Sequence, residues 1–414
     1  MDEKITKPRN VVLLVTVAAL GYFVDIYDLL LFLIIKNRSL TGIGVAQEDI
    51  TATGLFLMNW QMAGLLIGGI LWGILGDKKG RLSVLFGSII MYSLANIANG
   101  FVQDVNTYAI LRFIAGIGLA GELGAGITLI SETMSKEKRG YGTMIVSTIG
   151  ILGAVAAYYV ANAFDWRIAF FVGGGMGLLL LLLRIGVFES GMFSKIKHHD
   201  VSKGNFFMLF NNAKRFKKYL FSILIAVPVW FVVGILIGIA PDFGKALGIT
   251  DVIDTGRGVM FTYIGISAGD FLSGTLSQLF KTRKRIVFIF LILTYAGILY
   301  FLFSDGMSAD AFYMLCLYLG VATGYWVVFV TMASEQFGTN LRATVTTTAP
   351  NFVRGSLILI TLLFTVLRDQ TGIINAGLIV GTLTIAIAFV SLWQLEETYG
   401  KDLDYVEPSG GTGL

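Results

Sequence analysis

Twelve apolar runs of about 18 to 25 residues follow one another along this chain, separated by short polar segments. A helix of that length, rising about 1.5 Å per residue, crosses roughly 30 Å of hydrocarbon. The runs cover residues 11–35, 51–75, 83–101, 106–131, 141–161, 168–187, 219–240, 257–280, 286–303, 309–331, 343–367 and 372–395. The first run is too long, and too polar at its far end, for a signal peptide. The pattern therefore predicts an all-α integral membrane protein with twelve spanning helices.

The composition supports this prediction and excludes several function classes. Hydrophobic residues make up 55% of the 414 residues and charged residues only 14%, whereas soluble domains carry about 25% charged residues. The sequence has no phosphate-binding loop, catalytic triad pattern or metal-ligand constellation, so we expect no catalytic residue, cofactor, metal or nucleic-acid partner. Adjacent His198 and His199 are expected in a solvated loop rather than in a metal site.

Basic residues are distributed unevenly between the loops. If the amino terminus is cytoplasmic, every even-numbered gap lies inside, and those gaps are rich in Lys and Arg. The positive-inside rule describes this asymmetry, so we expect both termini on the cytoplasmic side of a cell (inner) membrane. The longest charged interruption follows the sixth run. The predicted units are a six-helix half at 1–187, a basic cytoplasmic linker at 188–218, a second half at 219–398 and a cytoplasmic tail at 399–414.

The segment between the second and third runs carries a spaced motif, GILGDKKGRL. Its glycines permit a tight turn, and its aspartate can cap a helix end and pair with basic neighbours. The motif resembles the loop signature of the major facilitator superfamily, which implies two pseudo-symmetric six-helix halves and a loop that stabilises one gating state. Between the eighth and ninth runs, Gln278 stands where the repeat would place aspartate, which weakens the case for a second latch. The gating-loop residues are Gly73, Asp77, Lys78, Gly80 and Arg81.

Six ionisable side chains stand out within the apolar runs, because an ionisable residue at the bilayer centre costs on the order of 3 kcal/mol on insertion scales and is a functional candidate. In the first run, the spacing of Gly21, Asp25 and Asp28 places both carboxylates on one helical face. Arg112, in the antiparallel fourth run, is expected at the depth of Asp28, so we predict a buried pair, with a static brace as the alternative. A carboxylate that alternates between a proton and an arginine can couple transport to protons. The six are Asp25, Asp28, Arg112, Glu122, Asp270 and Arg354.

Two of these segments resemble one family within the superfamily. GYFVDIYDLLLF and RFIAGIGLAGELGAG are similar to the first-helix and fourth-helix signatures of metabolite:proton symporters. The resemblance implies that Asp28, together with Asp25 or Glu122, carries a coupling proton beside Arg112. EQFGTNLRAT and LEETYGKDLD instead resemble loop and tail segments shared with sugar porters and organic-ion transporters, and a sugar porter is the first alternative.

Polar stripes in the second half predict a solute site. The eighth run carries Tyr263 and Asp270 at helical spacing, and the eleventh carries Asn351 and Arg354. A guanidinium near the midplane would hold a carboxylate well, so we expect an organic anion, with Asp270 as the resting partner of Arg354. A permanent brace between those two residues is the alternative. Trp230 and Tyr325 are further candidates for the lining of the site.

The sequence therefore predicts a proton-coupled symporter of a small organic solute, with no enzymatic activity. Its expected partners are the solute, protons and the lipid bilayer, and the expected state is a monomer. A sugar porter and a proton-driven multidrug exporter of the same fold are the alternatives, and an ATP-driven pump or a membrane enzyme is a weaker one.

Overall fold

The computed structural model describes residues 8–79, 81–124, 126–127, 134, 139–189, 206–401 and 405–407. Within these ranges the regular structure is helical, with no strand. Twelve helices correspond to the twelve apolar runs, and four of them consist of two or more segments. They are α1 (Pro8–Gly42), α2 (Ile50–Lys79), α3 (Arg81–Asn99), α4 (Val105–Leu119), α5 (Arg139–Ile151 and Gly153–Ala163), α6 (Trp166–Glu189), α7 (Ala213–Leu224, Val227–Phe231 and the π-helical Val232–Ile237), α8 (Thr255–Leu279), α9 (Lys284–Phe303), α10 (Ala309–Thr323 and Trp326–Glu335), α11 (Thr339–Gly355 and Leu357–Thr371) and α12 (Ile373–Gln394).

The outer surface of this bundle is apolar. Nine helical stretches among the described residues are long and apolar enough to cross a membrane, and Ser83–Asn99 in α3 is a shorter apolar helix. Large side chains such as Leu94, Tyr159, Leu182, Leu359 and Trp393 are exposed, as expected where lipid rather than water surrounds a protein. The all-α, twelve-helix membrane fold is confirmed.

The two halves repeat one close helix contact. α2 packs on α4 through Gly64 and Gly116, where a Cβ added to Gly116 would lie 3.1 Å from the Gly64 Cα. α8 packs on α10 through Gly265 and Gly320, where the equivalent distance would be 2.9 Å. Small residues at both crossings let the backbones approach closely. The same contact recurs six helices later, which reflects the pseudo-symmetry of the fold.

α1 extends beyond its predicted end at residue 35 to Gly42. The apolar run stops at Lys36, but the helix continues because its polar residues find partners. The Lys36 Nζ donates to the Gly238 carbonyl oxygen over 2.9 Å, and the Arg38 Nη1 donates to the Ala161 carbonyl oxygen over 2.6 Å. Hydropathy marked where the apolar residues end, not where the helix ends.

Several helices are interrupted near the middle of the bundle. α4 stops at Leu119, α7 breaks before Val227, α10 breaks at Gly324, and α11 breaks at Ser356. In transporters, discontinuous helices at this depth supply backbone groups to a central site. We call the end of the bundle that carries the α2–α3 connection the loop end, and the end that carries the α1–α2 connection the far end.

Candidate functional site

All six ionisable residues singled out from the sequence are buried. Each has at most 2% of its side chain exposed. They do not form one cluster, because α1 directs its two aspartates towards different neighbours. Three positions along an α-helix correspond to about 300°, so Asp25 and Asp28 diverge by about 60°. The prediction that both carboxylates share one helical face does not distinguish their directions, and so it does not identify the partner of each.

The centre of the bundle contains an ion pair between the two halves. The Arg354 Nη2 of α11 lies 3.8 Å from the Asp25 Oδ2 of α1. The Arg354 Nη1 also donates to the Asn351 Oδ1 over 3.4 Å, one turn earlier on the same helix. The predicted resting pair of Arg354 with Asp270 is therefore wrong, because the carboxylate on Arg354 comes from the first half.

Aromatic side chains surround this pair. The Arg354 guanidinium lies 5.9 Å from the centroid of the Trp326 ring. Tyr22 of α1 and Tyr263 of α8 are both buried and within electrostatic range of Arg354. The Trp326 Nε1 is buried and faces the side chain of Tyr22. One guanidinium and three aromatic side chains therefore lie in the same region of the bundle.

Asp270 has a different position from the one predicted. Its Oδ2 accepts from the Ser147 Oγ of α5 over 2.5 Å, and its Oδ1 accepts from the backbone N–H of Val327 over 3.0 Å. Val327 follows the break in α10, so the carboxylate caps the second segment of that helix from a neighbouring helix. Next to it, the Ser267 Oγ donates to the Thr148 carbonyl oxygen over 2.8 Å. Asp270 therefore connects α5, α8 and α10.

Asp28 and Arg112 face the same buried space inside the first half. Arg112 does not form the predicted ion pair, because its Nη2 donates to the Asn96 Oδ1 (2.7 Å) and its Nε to the Asn99 Oδ1 (3.2 Å), both on α3. Its guanidinium also lies 4.8 Å from the Phe170 ring centroid. Neither Asp28 oxygen has a hydrogen-bond donor among the described residues. The two charges are close enough to interact electrostatically, but they are not in contact.

Glu122 forms a third buried pair, with Arg184 of α6. The two side chains make two hydrogen bonds, one of them 3.2 Å from the Arg184 Nη1 to the Glu122 Oε2. A Cβ on Gly21 of α1 would lie 2.1 Å from the Glu122 Oε1 and 2.2 Å from the Arg184 Nη2. Arg184 was missed from the sequence because it lies at the polar end of the sixth run, but an arginine after LLLLLL was the available signal.

The other predicted solute-site residues lie at the helix breaks. The Asn351 Nδ2 donates to the carbonyl oxygen of Ala120, just after the end of α4, over 2.8 Å. The Tyr325 hydroxyl donates to the Ile225 carbonyl oxygen over 3.0 Å and joins the break in α10 to the break in α7. Trp230 is buried in the second segment of α7. Asn351 is near the centre, whereas Tyr325 is engaged in holding two helices together.

A family model described as Major Facilitator Superfamily matches residues 13–361. The chain belongs to the major facilitator superfamily.

Proteins similar to this chain are transporters by name. The putative niacin/nicotinamide transporter NiaP of Bacillus subtilis is 26% identical over 359 residues, which cover 82% of this chain and 84% of the relative. The gentisate transporter of Corynebacterium glutamicum is 22% identical and covers 91% and 86% of the two chains. The solved structure of the proton:xylose symporter XylE bound to 6-bromo-6-deoxy-D-glucose superimposes with a TM-score of 0.73 at 17% identity, over 96% and 98% of the chains.

At the loop end of this facilitator, the gating motif lies largely outside the described residues. Gly80 and the side chains of Asp77, Lys78 and Arg81 belong to that part, as do His198 and His199. Gly73 is described, and a Cβ there would lie 3.4 Å from the Thr348 Cγ2 of α11. Gly73 therefore marks a close contact between α2 and α11, which belong to opposite halves.

The second half carries a charged network at the loop end. The Arg283 Nη2 lies 3.2 Å from the Glu335 Oε1, and both side chains are buried. Glu397, after α12, accepts from the Thr282 hydroxyl and from the backbone N–H of Arg283. Burial raises the pKa of Glu397, but hydrogen bonds from Thr282 and from backbone amides outweigh that effect and hold the pKa below its usual value. Gln278 takes no part in the hydrogen bonds described here and lies against Gly140 of α5.

Contacts between the halves also close the far end. Besides the bond from Lys36 to Gly238, the Thr51 Oγ1 of α2 donates to the Asp242 Oδ2 over 3.0 Å. Both acceptors follow the π-helical segment of α7, whose irregular backbone is typical of functional sites. Because the halves touch at both ends, the central charges are enclosed between two sets of contacts.

Proposed function

We propose that this facilitator is a proton-coupled symporter of a small organic anion, most simply a carboxylate, that works by alternating access. The observation that carries the proposal is the pair of Asp25 and Arg354 at the centre of the bundle. A buried guanidinium paired with a movable carboxylate can accept a second carboxylate in its place. The pair therefore provides both an anion site and a group that responds when the anion binds.

The proposed coupling of transport to protons follows from the loss of the ion pair between Asp25 and Arg354. When a solute carboxylate takes its place on Arg354, Asp25 remains buried without its cation. A buried carboxylate without a compensating charge is costly and is relieved by binding a proton. One proton would then enter with each carboxylate, and the loaded site would carry no more net charge than the empty one. That charge balance is what allows the loaded carrier to rock between its two states.

The surroundings of the site favour an aromatic or similarly planar acid. Tyr22, Tyr263 and Trp326 place three aromatic rings around Arg354, which suits a planar, apolar body attached to a carboxylate. The names of the relatives point the same way, since they include niacin/nicotinamide, gentisate and probable 4-methylmuconolactone transporters. We propose Arg354, Asn351 and Tyr263 as solute-binding residues.

Some of the other residues singled out from the sequence keep their predicted roles, and others are assigned structural roles. Asp28, with Arg112 beside it, is proposed as a second proton-binding group. Glu122 is better explained as a fixed partner of Arg184, because both of its oxygens are engaged. Asp270 and Tyr325 are proposed to hold helices rather than to bind solute. We further propose a monomer with both termini in the cytoplasm, divided into halves at 1–187 and 219–398.

The test is uptake into proteoliposomes under an imposed pH gradient, with aromatic monocarboxylates, aliphatic carboxylates, xylose and a lipophilic cation as solutes. We expect aromatic carboxylates to accumulate only when the proton gradient points inward, and Asp25→Asn to lose accumulation while it still exchanges labelled for unlabelled solute. Accumulation of xylose alone would identify a sugar porter. Proton-driven expulsion of the cation would identify an exporter, and either result would refute the proposal.

A further inference from the structure

Asn96 of α3 lies between the two charges that the sequence paired directly. Its Oδ1 accepts from the Arg112 Nη2 over 2.7 Å, and its amide group faces Asp28. Arginine only donates hydrogen bonds, so the oxygen of the carboxamide must face Arg112. The NH₂ group is therefore turned away from Arg112, and its nitrogen has no acceptor among the described residues.

The unpaired atoms around this carboxamide lie in one buried place. They include the two Asp28 oxygens, the Asn96 Nδ2, the Arg112 Nη1 and the Tyr92 hydroxyl. Asp28, Asn96 and Arg112 have no exposed surface. Buried donors and acceptors are normally satisfied, and each orphan costs about 1–3 kcal/mol. These donors and acceptors are complementary, so they can pair with one another when Asp28 gains or loses a proton.

We propose that Asn96 is a positioning residue that keeps Arg112 off Asp28, so that Asp28 can bind the coupling proton. The proposal deepens the proposed proton symport and rests on it. When Asp28 is protonated, its neutral acid needs no cation, and the Nη2 and Nε of Arg112 stay bonded to Asn96 and Asn99. When the proton leaves, the Asn96 NH₂ and the free Arg112 Nη1 are donors that the carboxylate can take up. The carboxamide therefore sets how tightly the proton is held.

The charged and titratable groups that face Asp28 come from three helices. Arg112 belongs to α4, Tyr92 to α3, and Asp25 and Tyr27 to α1 itself. Within the described residues, α6 contributes no charged group to this set and packs its backbone against Asp28 at Gly173, where an added Cβ would collide with the Asp28 Oδ1. Arg112 is the one cation in this set. Whether it contacts Asp28 is consequently the largest electrostatic variable in the cluster.

Asn99 provides a matched control. It also accepts from the Arg112 guanidinium, at 3.2 Å, but its own NH₂ donates to the Ala95 carbonyl oxygen over 2.7 Å rather than facing Asp28. Asn96→Leu and Asn99→Leu each remove one bond from Arg112. Only Asn96→Leu removes the carboxamide that lies between Arg112 and Asp28.

The experiment is a pH titration of the purified protein by infrared difference spectroscopy, following the carboxyl band that disappears in Asp28→Asn. In Asn96→Leu we expect Arg112 to turn to Asp28, so the band titrates at lower pH, with proton binding weakened by about tenfold or more. Asn99→Leu should titrate like the native protein. Asn96→Gln keeps a carboxamide, so its Asp28 band should titrate at a pH between those of Asn96→Leu and the native protein.

The outcomes separate this proposal from proton symport itself. The infrared titration requires no solute, so it remains informative if proteoliposomes fail to accumulate any carboxylate. If Asn96→Leu titrates like the native protein, or if Asn99→Leu shifts as much, Asn96 does not control Asp28. If Asn96→Leu does not fold, Asn96→Gln against Asn99→Gln gives the same comparison, and equal titration of those two would overturn the assignment.

Discussion

Asp25 and Arg354 lie on helices of opposite halves, and 3.8 Å separates the Oδ2 of one from the Nη2 of the other. A contact of this kind is at once part of a binding site and a tie between the bodies that must move apart. Whatever replaces Asp25 on Arg354 therefore also changes how the halves are held together.

The first prediction concerns Arg354. Arg354→Gln removes the cation, and we expect the affinity for a transported carboxylate to fall at least about 30-fold, since charged hydrogen bonds contribute about 1.5–3 kcal/mol each. Arg354→Lys keeps the charge but loses the planar fork, so an intermediate loss is expected. Scintillation proximity binding of a labelled carboxylate measures both. Arg368→Gln, at the partly exposed end of the same helix, is the control and should bind like the native protein.

Gly21 permits the buried pair of Glu122 and Arg184. A methyl group at this position would overlap both side chains, and breaking a buried ion pair typically costs about 3–5 kcal/mol. Gly21→Ala should therefore lower the melting temperature in detergent markedly. Gly175→Ala in α6 is the control, because a Cβ at Gly175 meets nothing within 4 Å. Equal melting temperatures for the two variants would show that the pair can shift without cost.

Lys36 is predicted to hold the far end closed. The π-helical segment of α7 ends at Ile237, and the amides of Asp242 and Phe243 both bond to the Ile239 carbonyl oxygen, so the Gly238 carbonyl oxygen is left for Lys36. Lys36→Met removes that donor at similar length. In a Cys316→Ser background, a reporter Ile34→Cys beside Gly256 should then react faster with a membrane-impermeant maleimide, by about fivefold for each 1 kcal/mol lost. Lys245→Met, which alters an exposed lysine, should leave the rate unchanged; slower labelling in Lys36→Met would contradict the assignment.

Glu397 should give a pH-dependent contribution to stability. Its pKa is lowered in the folded protein, so its contribution is complete above the unfolded value of about 4.3 and is lost as the pH falls through the folded value. Glu397→Gln should therefore melt slightly below the native protein near neutral pH, and the two should converge in acid. Differential scanning fluorimetry at several pH values measures this. A gap that is constant down to acid pH would show that the charge of Glu397 is irrelevant.

Helix number and type followed from hydropathy because a membrane admits few alternatives for twelve apolar runs. The buried charges were also found from the sequence, because a charge inside an apolar run is conspicuous. Their partners could not be found in the same way. Pairing Arg354 with Asp270 assumed that charges in one half meet each other, whereas the rotation of α1 about its axis brings Asp25 to Arg354 instead. Asn96 gave no signal, since an asparagine in a moderately polar run looks like ordinary packing.

The positions of the helix breaks could not be predicted from the sequence either, except where a glycine such as Gly324 marks one. Breaks depend on which neighbour supplies a partner to the freed backbone groups, and that is a tertiary property. The Asn351 side chain at the end of α4 and the Tyr325 hydroxyl at the break in α7 are two such partners. Both come from helices remote in sequence from the break they serve.

Asp270 joins a contact between the two halves to a helix break within the second half. One of its oxygens is held by Ser147 of the other half, and the other oxygen caps the second segment of α10. If α5 withdraws from α8 during transport, the carboxylate loses a donor and its hold on the Val327 amide changes at the same moment. Withdrawal of α5 from α8 would therefore reach the second segment of α10 through this one side chain, which touches neither Arg354 nor Asp25 in the hydrogen bonds that hold it.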